Sequence, residues 1–567
     1  MTNKIYMRQY IRRFIIHLVL WICLVFSLVF YCRNLDEQNN QEIELSSESG
    51  FYSVPFYLEI TSDFDKIYYT LDCSDPDENG ILYNNPILIS DASNNDNVYS
   101  MNKEICLDYS NEYLQEYLGI DSYFGYRLPN KKVDKATVVR AIGVRENGEK
   151  SVIKNAIFFV GYENKTGYKN TNYISIITDP SNLFDYNDGI YILGKHFRND
   201  YLKNVDENTW IDPNVGWWPA NYHMKHSRWE RPCDIICMNS KGDILLEGSY
   251  GIRIQGGASR GCANKSLNIF SRKQYGNYPL SVVLSENNSI SSVNLYNGGS
   301  GDQISHLRDY LINNIIAGLE LPTRNFVPYQ LFLDGEYWGT YWMTDRFNEE
   351  YFLNHYGIIP ENLIMIKNWN VEIGSDEDIK MFRNMMDYIA SHDMSEISQY
   401  SEAKKMIDID NFINYYAVEI YIANWDWPNN NVISWRSIQP ANEKYSDGLW
   451  RYIVYDVNEG MKPGREEDDY IDYAADRDDM FASLLMNDEF KMRLEERLVY
   501  LARNNFNPSR VDEMIDKYEF EMSDASTHNL LRFFGDSKSY DDFISECECI
   551  RSYFYKRHDY IIETYEK

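Results

Sequence analysis

Cysteine is sparse and unpatterned, with nine residues in a chain of 567. Cys23 and Cys32 fall in an N-terminal apolar run, and the rest stand at 73, 106, 233, 237, 262, 547 and 549. An odd number at irregular spacing excludes a disulfide framework. Cys233-x3-Cys237 and Cys547-x-Cys549 are poor zinc spacings with no histidine beside them, so free thiols are expected. Positive charge is also short. With 55 Lys and Arg against 86 Asp and Glu, the net charge is −31, which repels phosphate backbones and excludes nucleic-acid binding as a whole-protein function. No internal repeat is visible. What is present is ordinary globular composition, 44% hydrophobic and 25% charged, which rules out global disorder. Aromatics reach 15%, with 48 Tyr and 12 Trp, which suits a β-rich, extracytoplasmic protein. Length alone predicts about three to four domains.

The N-terminus sets the compartment. Lys4, Arg8, Arg12 and Arg13 precede an apolar run from Phe14 to Cys32 in which only His17 and Ser27 are polar. As a helix it spans about 28 Å, close to the hydrocarbon core of a bilayer. The basic side stays inside, so the body is exported. Val29-Phe30-Tyr31 is too bulky for a signal-peptidase site, and Cys32 lacks the small residues that precede a lipoprotein cysteine. An uncleaved signal anchor is expected, with cleavage as the alternative. Residues 34–46 are polar and read as a tether. The expected location is the cell membrane, crossed once, with the main body outside.

Residues 50–160 alternate apolar and polar with turn residues between, as strands do. Lys66-Ile67-Tyr68-Tyr69-Thr70-Leu71 is such a strand, broken by Asp72-Cys73-Ser74-Asp75-Pro76. The order SGFYSVPFYLEI, KIYYTLDCSDP, LYNNPILI, TVVRAIGVRENGEKS resembles the chitobiase C-terminal-like (Fn3-associated) β-sandwich, with an insertion around 91–133 and Cys73 where glycine is usual. Such sandwiches are spacers or accessory modules, and no catalytic residue is assigned there. Beyond about 166, strands come first and helices dominate later, which predicts an α+β, two-lobed architecture. Val327 to Leu333 and Tyr337 to Met343 read as a hairpin around an Asp334-Gly335 turn. Helical periodicity covers about 305–320, 376–391, 410–424, 479–504, 507–523 and 540–565. The expected division is tail and anchor 1–33, tether 34–46, sandwich 47–162 and a final domain 166–567.

Four places in the last region carry chemistry. Gln255-Gly256-Gly257-Ala258-Ser259-Arg260-Gly261 is followed by Lys265. Its glycines would let backbone approach a phosphate, with Lys265 or Arg260 neutralising it. The alternative is a hairpin turn that needs positive φ, and neither the Walker A nor the dinucleotide glycine pattern is met. Asp345 lies just past the strand ending at Met343 and would pair with Lys265, as kinases use a Lys–Glu pair. Alternatively, Asp345 and Asn348 cap the following helix. Asp426 and Asn431 have D-x4-N spacing in a Trp-flanked loop opened by Pro428. In kinase catalytic loops that spacing places a carboxylate to accept the hydroxyl proton and an amide to hold a metal. Asp309 and Asn314 share the spacing on a plain amphipathic helix, where it reads as chance. Last, Asp456-Val457-Asn458 ends the strand 451–455. A hairpin of 432–438 with 450–455 would bring Asp456 beside Asn431, and their oxygens would suit Mg²⁺ with nucleotide phosphates. The alternative is a turn with solvated acids.

The ordered set ITDPSNLFDYNDGIYILGKHF, RWERPCDI, GIRIQGGASRGCANKSLNIFSRKQYG, LRDYLINNIIAGLELPTRNFVPYQLFLDGEYWGTYWMTDRF and FINYYAVEIYIANWDWPNNNVISWR…LWRYIVYDVNEGM resembles the CotH-type (spore coat protein H) atypical kinases over roughly 170–560. The resemblance implies a reduced kinase-like fold that transfers phosphoryl from ATP, with Mg²⁺ or Mn²⁺, to Ser/Thr of envelope or secreted proteins. It also implies Lys265 as the phosphate-binding lysine, Asp426 as the catalytic-loop acid, Asn431 as its metal-binding partner and Asp456 as the metal-binding acid. Two positions depart from the pattern. Asp345 stands where Glu is usual, and Asn458 where a D-x-D motif has its second acid. If that second acid is the metal ligand, nucleotide binding could outlast turnover, which leaves a pseudokinase scaffold as the second reading. The acidic run from Glu466 to Asp479 reads as a solvated loop or, alternatively, a guide for basic substrates or Ca²⁺. His223 and His226 are a weak metal candidate, and Trp217-Trp218 either stack on sugar or are buried.

Overall fold

The structure, a computed structural model, describes residues 43–199, 214–284, 289–438 and 444–566. The anchor expected over 14–32 and most of the tether lie outside these residues. Among the described residues, no helix is long and apolar enough to cross a membrane. The chain divides into two compact units. One holds the described residues up to Asp91 together with Ala136–Gly161, and the other holds Ala92–Lys135 together with everything from Tyr162 on.

In the first unit, Gly50–Tyr52, Lys154–Val160, Thr137–Val144, Lys66–Thr70 and Ile81–Leu82 form a sheet in that order, while Phe56–Leu58 pairs with Ile87–Ile89. Leu58, Ile87 and Ile89 share one core with Val139, Ala141, Ala156 and Phe158. Their neighbours Tyr57 and Leu88 face solvent, as a period of two demands. Cys73 has φ +61, so the position favours glycine, and its carbonyl accepts from Arg140 Nη1 at 2.5 Å.

The expected sandwich boundaries, 47–162, do not survive intact, because the insertion Ala92–Lys135 belongs to the second unit. Ile105, Cys106, Leu107, Tyr109, Leu114 and Tyr126 are buried in that unit's core. An insertion this apolar needs a larger core than the small sandwich has.

The second unit opens with a closed barrel of β1 (Asn172–Ile177), β2 (Arg231–Met238), β3 (Ile244–Ile254), β4 (Leu267–Phe270), β5 (Ser292–Tyr296), β6 (Phe326–Leu333) and β7 (Glu336–Thr344). The order is β1-β2-β3-β4-β5-β7-β6, and β6 closes in parallel on β1. The Asp-Gly hairpin forms as expected. Asp334 at φ +47 and Gly335 at φ +83 are both left-handed, as a two-residue turn of type I′ requires. A second sheet has β8 (Leu363–Lys367), β9 (Asn370–Ile373), β10 (Ile433–Ser437) and β11 (Arg451–Ile453) in the order β9-β8-β10-β11.

The helices that matter below are α1 (Arg308–Ile315), α2 (Glu349–Tyr356), α3 (Asp376–Ser391), α4 (Ile409–Tyr421), α5 (Asp488–Arg503), α6 (Pro508–Phe534) and α7 (Tyr540–Tyr565). α4 is buried on nearly every side, which explains its lack of a polar stripe. The helix expected over 479–504 is broken at Asn487, whose side chain caps α5 by accepting the Phe490 N–H at 3.1 Å. One apolar core runs from barrel residues such as Leu267 and Leu331 to helix residues such as Leu498 and Phe554. Barrel and helices are therefore one α+β body and not two separately cored lobes.

Candidate active site

The β10–β11 hairpin pairs Ile433 with Ile453, which brings the loop after α4 against the turn after β11, as the sequence pattern predicts. Asp426 Oδ2 accepts from Nδ2 of both Asn430 and Asn431 at 3.0 Å. Asn368, in the β8–β9 turn, holds the same loop. Its Oδ1 accepts the Val432 N–H at 3.0 Å, and its Nδ2 donates to Asn430 Oδ1 at 2.7 Å. The Asp426 carboxylate is thus held by two amides through one oxygen, Oδ2. Burial raises its pKa, and Glu459 adds to this against the two amides.

Asn431 and Asp456 both sit in the left-handed region, at φ +57 and +58, a strained conformation for residues with a Cβ that is common at functional sites. Asn431 Nδ2 also reaches the Asp456 carbonyl at 3.4 Å. Asp456 Oδ1 accepts from Asn458 Nδ2, and Asn458 Oδ1 accepts the Gly301 N–H at 3.1 Å. That second bond fixes which way the amide points. Asn458 is therefore a donor to Asp456, and its expected role as an oxygen ligand for a metal is corrected. The loop carrying Gly301 presses close, since a Cβ at Gly299 would fall 2.7 Å from Asn458 Nδ2.

Behind Asp456 lie groups that the sequence reading missed. Asp309, dismissed as a chance match on α1, is buried there. Its Oδ2 accepts from Tyr296 at 2.8 Å and its Oδ1 from Arg324 at 3.2 Å. Burial, then Asp309, push the Asp456 carboxyl above the usual range, while Arg324 and Lys367 pull it down. Lys367, at the end of β8, donates to the Tyr455 hydroxyl at 3.0 Å. Burial works against its charge, but Tyr455, Glu372 and Asp456 outweigh this and raise its pKa. Glu419 of α4 is fully buried and accepts from Asn424 Nδ2 at 3.0 Å, while Glu419 Oε1 and Asn424 Oδ1 have no hydrogen-bond partner among the described residues. Burial pushes Glu419 up to about 8, against the hydrogen bond from Asn424, with Asp309 and Asp456 adding to the rise. The residue types were visible in sequence, but their convergence from β5, α1, the α1–β6 segment, β8 and α4 was not.

The remaining candidates lie elsewhere. The Lys265 ammonium is fully buried and donates to the carbonyls of Arg260 at 2.8 Å and Cys262 at 2.7 Å, 3.9 Å from the centre of the Tyr222 ring. Burial lowers its pKa to about 7. Arg260 turns back onto the carbonyls of Gly256 at 2.7 Å and Tyr222 at 2.9 Å. The turn at Gly256 and Gly257 is thus closed by its own cations, and Lys265 makes no hydrogen bond or ion pair with Asp426, Asn431 or Asp456. Its expected pairing with Asp345 is also absent. The β4–β5–β7 register places Asp345 level with Val293 and Ile269, four residues along from Lys265 and two strands across. At about 3.3 Å per residue this exceeds an ion pair's reach. Asp345 Oδ2 instead accepts the Asn325 N–H at 2.7 Å, and Asn348 caps α2.

The acidic run supplies helix caps at Asp469 and Asp478 and a buried Glu466 bound by Lys556 at 3.2 Å. His223 is mostly buried and its pKa falls to about 3 through burial and nearby Arg260. Trp218 is buried and Trp217 exposed. Cys106, Cys233, Cys237, Cys262, Cys547 and Cys549 are free thiols.

Among the described residues, no group of three or more His, Cys, Asp or Glu is placed to hold a metal ion. The site does fit a hard cation that takes most of its ligands from phosphate and water. Asp456 would supply one carboxylate oxygen beyond that held by Asn458. Asn431, whose Nδ2 is directed at Asp426, would supply its amide oxygen. In comparisons with known proteins, residues 252–561 match the family model for CotH kinase protein, and residues 58–158 match that for the Fn3-associated domain. No curated protein matches the chain.

Proposed function

Since the chain belongs to the CotH kinase family, whose model matches more than half of it, we propose that this protein is a kinase-like phosphotransferase, moving the terminal phosphoryl of ATP to Ser or Thr hydroxyls of envelope or secreted proteins. The observation that carries the reading is the convergence of Asp426, Asn431 and Asp456 at the end of one hairpin. Asp426, aimed by Asn430 and Asn431, orients the attacking hydroxyl and receives its proton. Asp456 and Asn431 would hold a divalent cation, which would neutralise charge developing on the phosphates. Lys367 and Arg324 keep Asp456 ionisable despite its burial. The N-terminal apolar run would fix this body to the outer face of a membrane.

One observation favours a second reading, a catalytically weak scaffold. Asn458 gives the motif no second carboxylate, and its oxygen is held by Gly301. The two readings separate in one experiment. Full-length protein is incubated with γ-labelled ATP, Mg²⁺ or Mn²⁺ and envelope proteins, beside Asp426→Asn. Label on Ser or Thr that disappears in the variant supports the kinase. ATP binding without label supports the scaffold.

A further inference from the structure

Asp426 stands between two residues that reach back into the protein. Trp425 is exposed and Asp426 half-buried, whereas Asn424 and Trp427 are buried. Both inward side chains end on α4. Asn424 Nδ2 donates to Glu419 Oε2 at 3.0 Å, and Trp427 Nε1 donates to the Tyr415 hydroxyl at 2.7 Å. Tyr415 and Glu419 are four residues apart, one turn along the same helix face. The chain leaves α4 abruptly, with Ala423 at φ +49 and the Asn424 N–H turned back to the Glu419 carbonyl at 3.3 Å. Two anchors on one buried helix therefore bracket Asp426. Asn430 and Asn431 belong to the same loop and move with it, so they orient the carboxylate without placing it. Asn368 holds the far end of the loop at Val432.

Polar groups on a core helix are costly unless they are paired. Glu419 Oε1 and Asn424 Oδ1 are both buried acceptors without a hydrogen-bond partner among the described residues. One proton on Glu419 removes both deficits. The carboxyl then donates to the Asn424 side-chain oxygen while accepting from its Nδ2, and acid and amide exchange two hydrogen bonds. Burial favours that neutral form, since it raises the pKa of Glu419 to about 8. We propose that Glu419, as a neutral acid paired with Asn424, and Tyr415, paired with Trp427, are positioning residues that fix Asp426 for phosphoryl transfer. This inference rests on the kinase reading and deepens it. Both residues act through the loop alone, and a misplacement of about 1 Å at a reacting group costs on the order of 100-fold in rate.

The test compares Glu419→Met, Glu419→Gln and Tyr415→Phe in the full-length protein. Two quantities are read: kcat and the KM for ATP in label transfer to envelope proteins, and hydrogen–deuterium exchange of residues 424–431. Met fills the space without a polar group. Gln offers an N–H where the acid carries its proton, so the pair with Asn424 survives. Glu419→Met should lower kcat about 100-fold with the KM for ATP unchanged. It should speed exchange across 424–431 by about tenfold, the loss of roughly one hydrogen bond. Glu419→Gln should recover both to within about threefold of wild type. Tyr415→Phe should move both in the direction of Glu419→Met but less far, because Trp427 stays packed on Tyr416, with ring centres 4.8 Å apart. It also keeps the test open should Glu419→Met not fold. Gln as impaired as Met would mean that the carboxylate itself is needed and would overturn the neutral pair. Unchanged kcat and exchange in Glu419→Met, or in Tyr415→Phe where the Met variant does not fold, would overturn the positioning role. If wild type and all variants label protein alike, the kinase reading stands and this inference falls. If wild type labels no protein, the kinase reading falls, and the exchange rates alone decide whether α4 holds the loop.

Discussion

The turn at Gly256–Lys265 and the loops at Asn424–Asn431 and Asp456–Asn458 looked alike in sequence, as polar and glycine-bearing segments next to strands. In the fold they are opposites. The first is closed: Lys265 and Arg260 are absorbed by carbonyls of their own turn, under aromatic rings and the inserted segment. The second is open, because its amides are used to aim Asp426 and Asp456 while other oxygens keep no donor. A cation satisfied by local carbonyls is a structural clamp. A carboxylate held through one oxygen and repelled by a buried neighbour is poised to bind something.

The harshest way to test this contrast is to remove what closes the first region. Tyr126 of the insertion hydrogen-bonds Asn264 at 2.8 Å, and Phe124 packs by Gly261. A chain in which residues 92–135 are replaced by a short Gly/Ser link should lose the cooperative calorimetric transition of the second unit. A chain beginning at 165 should fail in the same way. Retention of a normal transition would show the insertion to be a mere appendage.

Next in size is Asp456→Asn. Phosphoryl transfer should fall on the order of 100- to 1000-fold, as when one positioned electrostatic group is removed. Thermal stability at pH 8 should rise, because an ionised carboxylate no longer sits beside Asp309. A fall in both would mark Asp456 as structural.

Lys265→Met should show the reverse pattern. Two buried carbonyls lose their donor, which costs roughly 2–4 kcal/mol of stability measured by denaturant, while the ATP dissociation constant of the folded protein stays as it was. A selective loss of ATP affinity with normal stability would restore Lys265 to the phosphate site.

The smallest effect concerns Glu419. Its folded pKa of about 8 lies above its ordinary 4.5, so the folded state keeps a proton that the unfolded chain releases. Wild-type stability should therefore fall as pH rises from about 4.5 to 8 and level off above. Glu419→Gln cannot ionise, so its Tm should gain on wild type across that window by a few degrees, roughly 1–3 kcal/mol. A constant difference across the window would mean that Glu419 is ionised in the folded state.

Much was legible from the residues. The Asp334-Gly335 turn announced the β6–β7 hairpin because Asp-Gly readily supplies the two left-handed residues of a type I′ turn. The spacing of Asp426 from Asn431 and the 432–438 and 450–455 strands announced their meeting with Asp456, because a hairpin is a local event. The 3.6-residue periodicity marked α3, α4, α6 and α7.

Sequence by itself determined these local elements, the excess of acid and the family to which residues 252–561 belong. Only the tertiary structure decided which unit the 92–135 segment joins, that Asp309 and Glu419 stand behind Asp456, that Asn458 donates to it, and that Lys265 is enclosed. The reason is physical. Turn chemistry and side-chain periodicity act within a few residues, whereas burial, desolvation and the repulsion of like charges depend on distances that exist only once strands and helices far apart in the chain have packed.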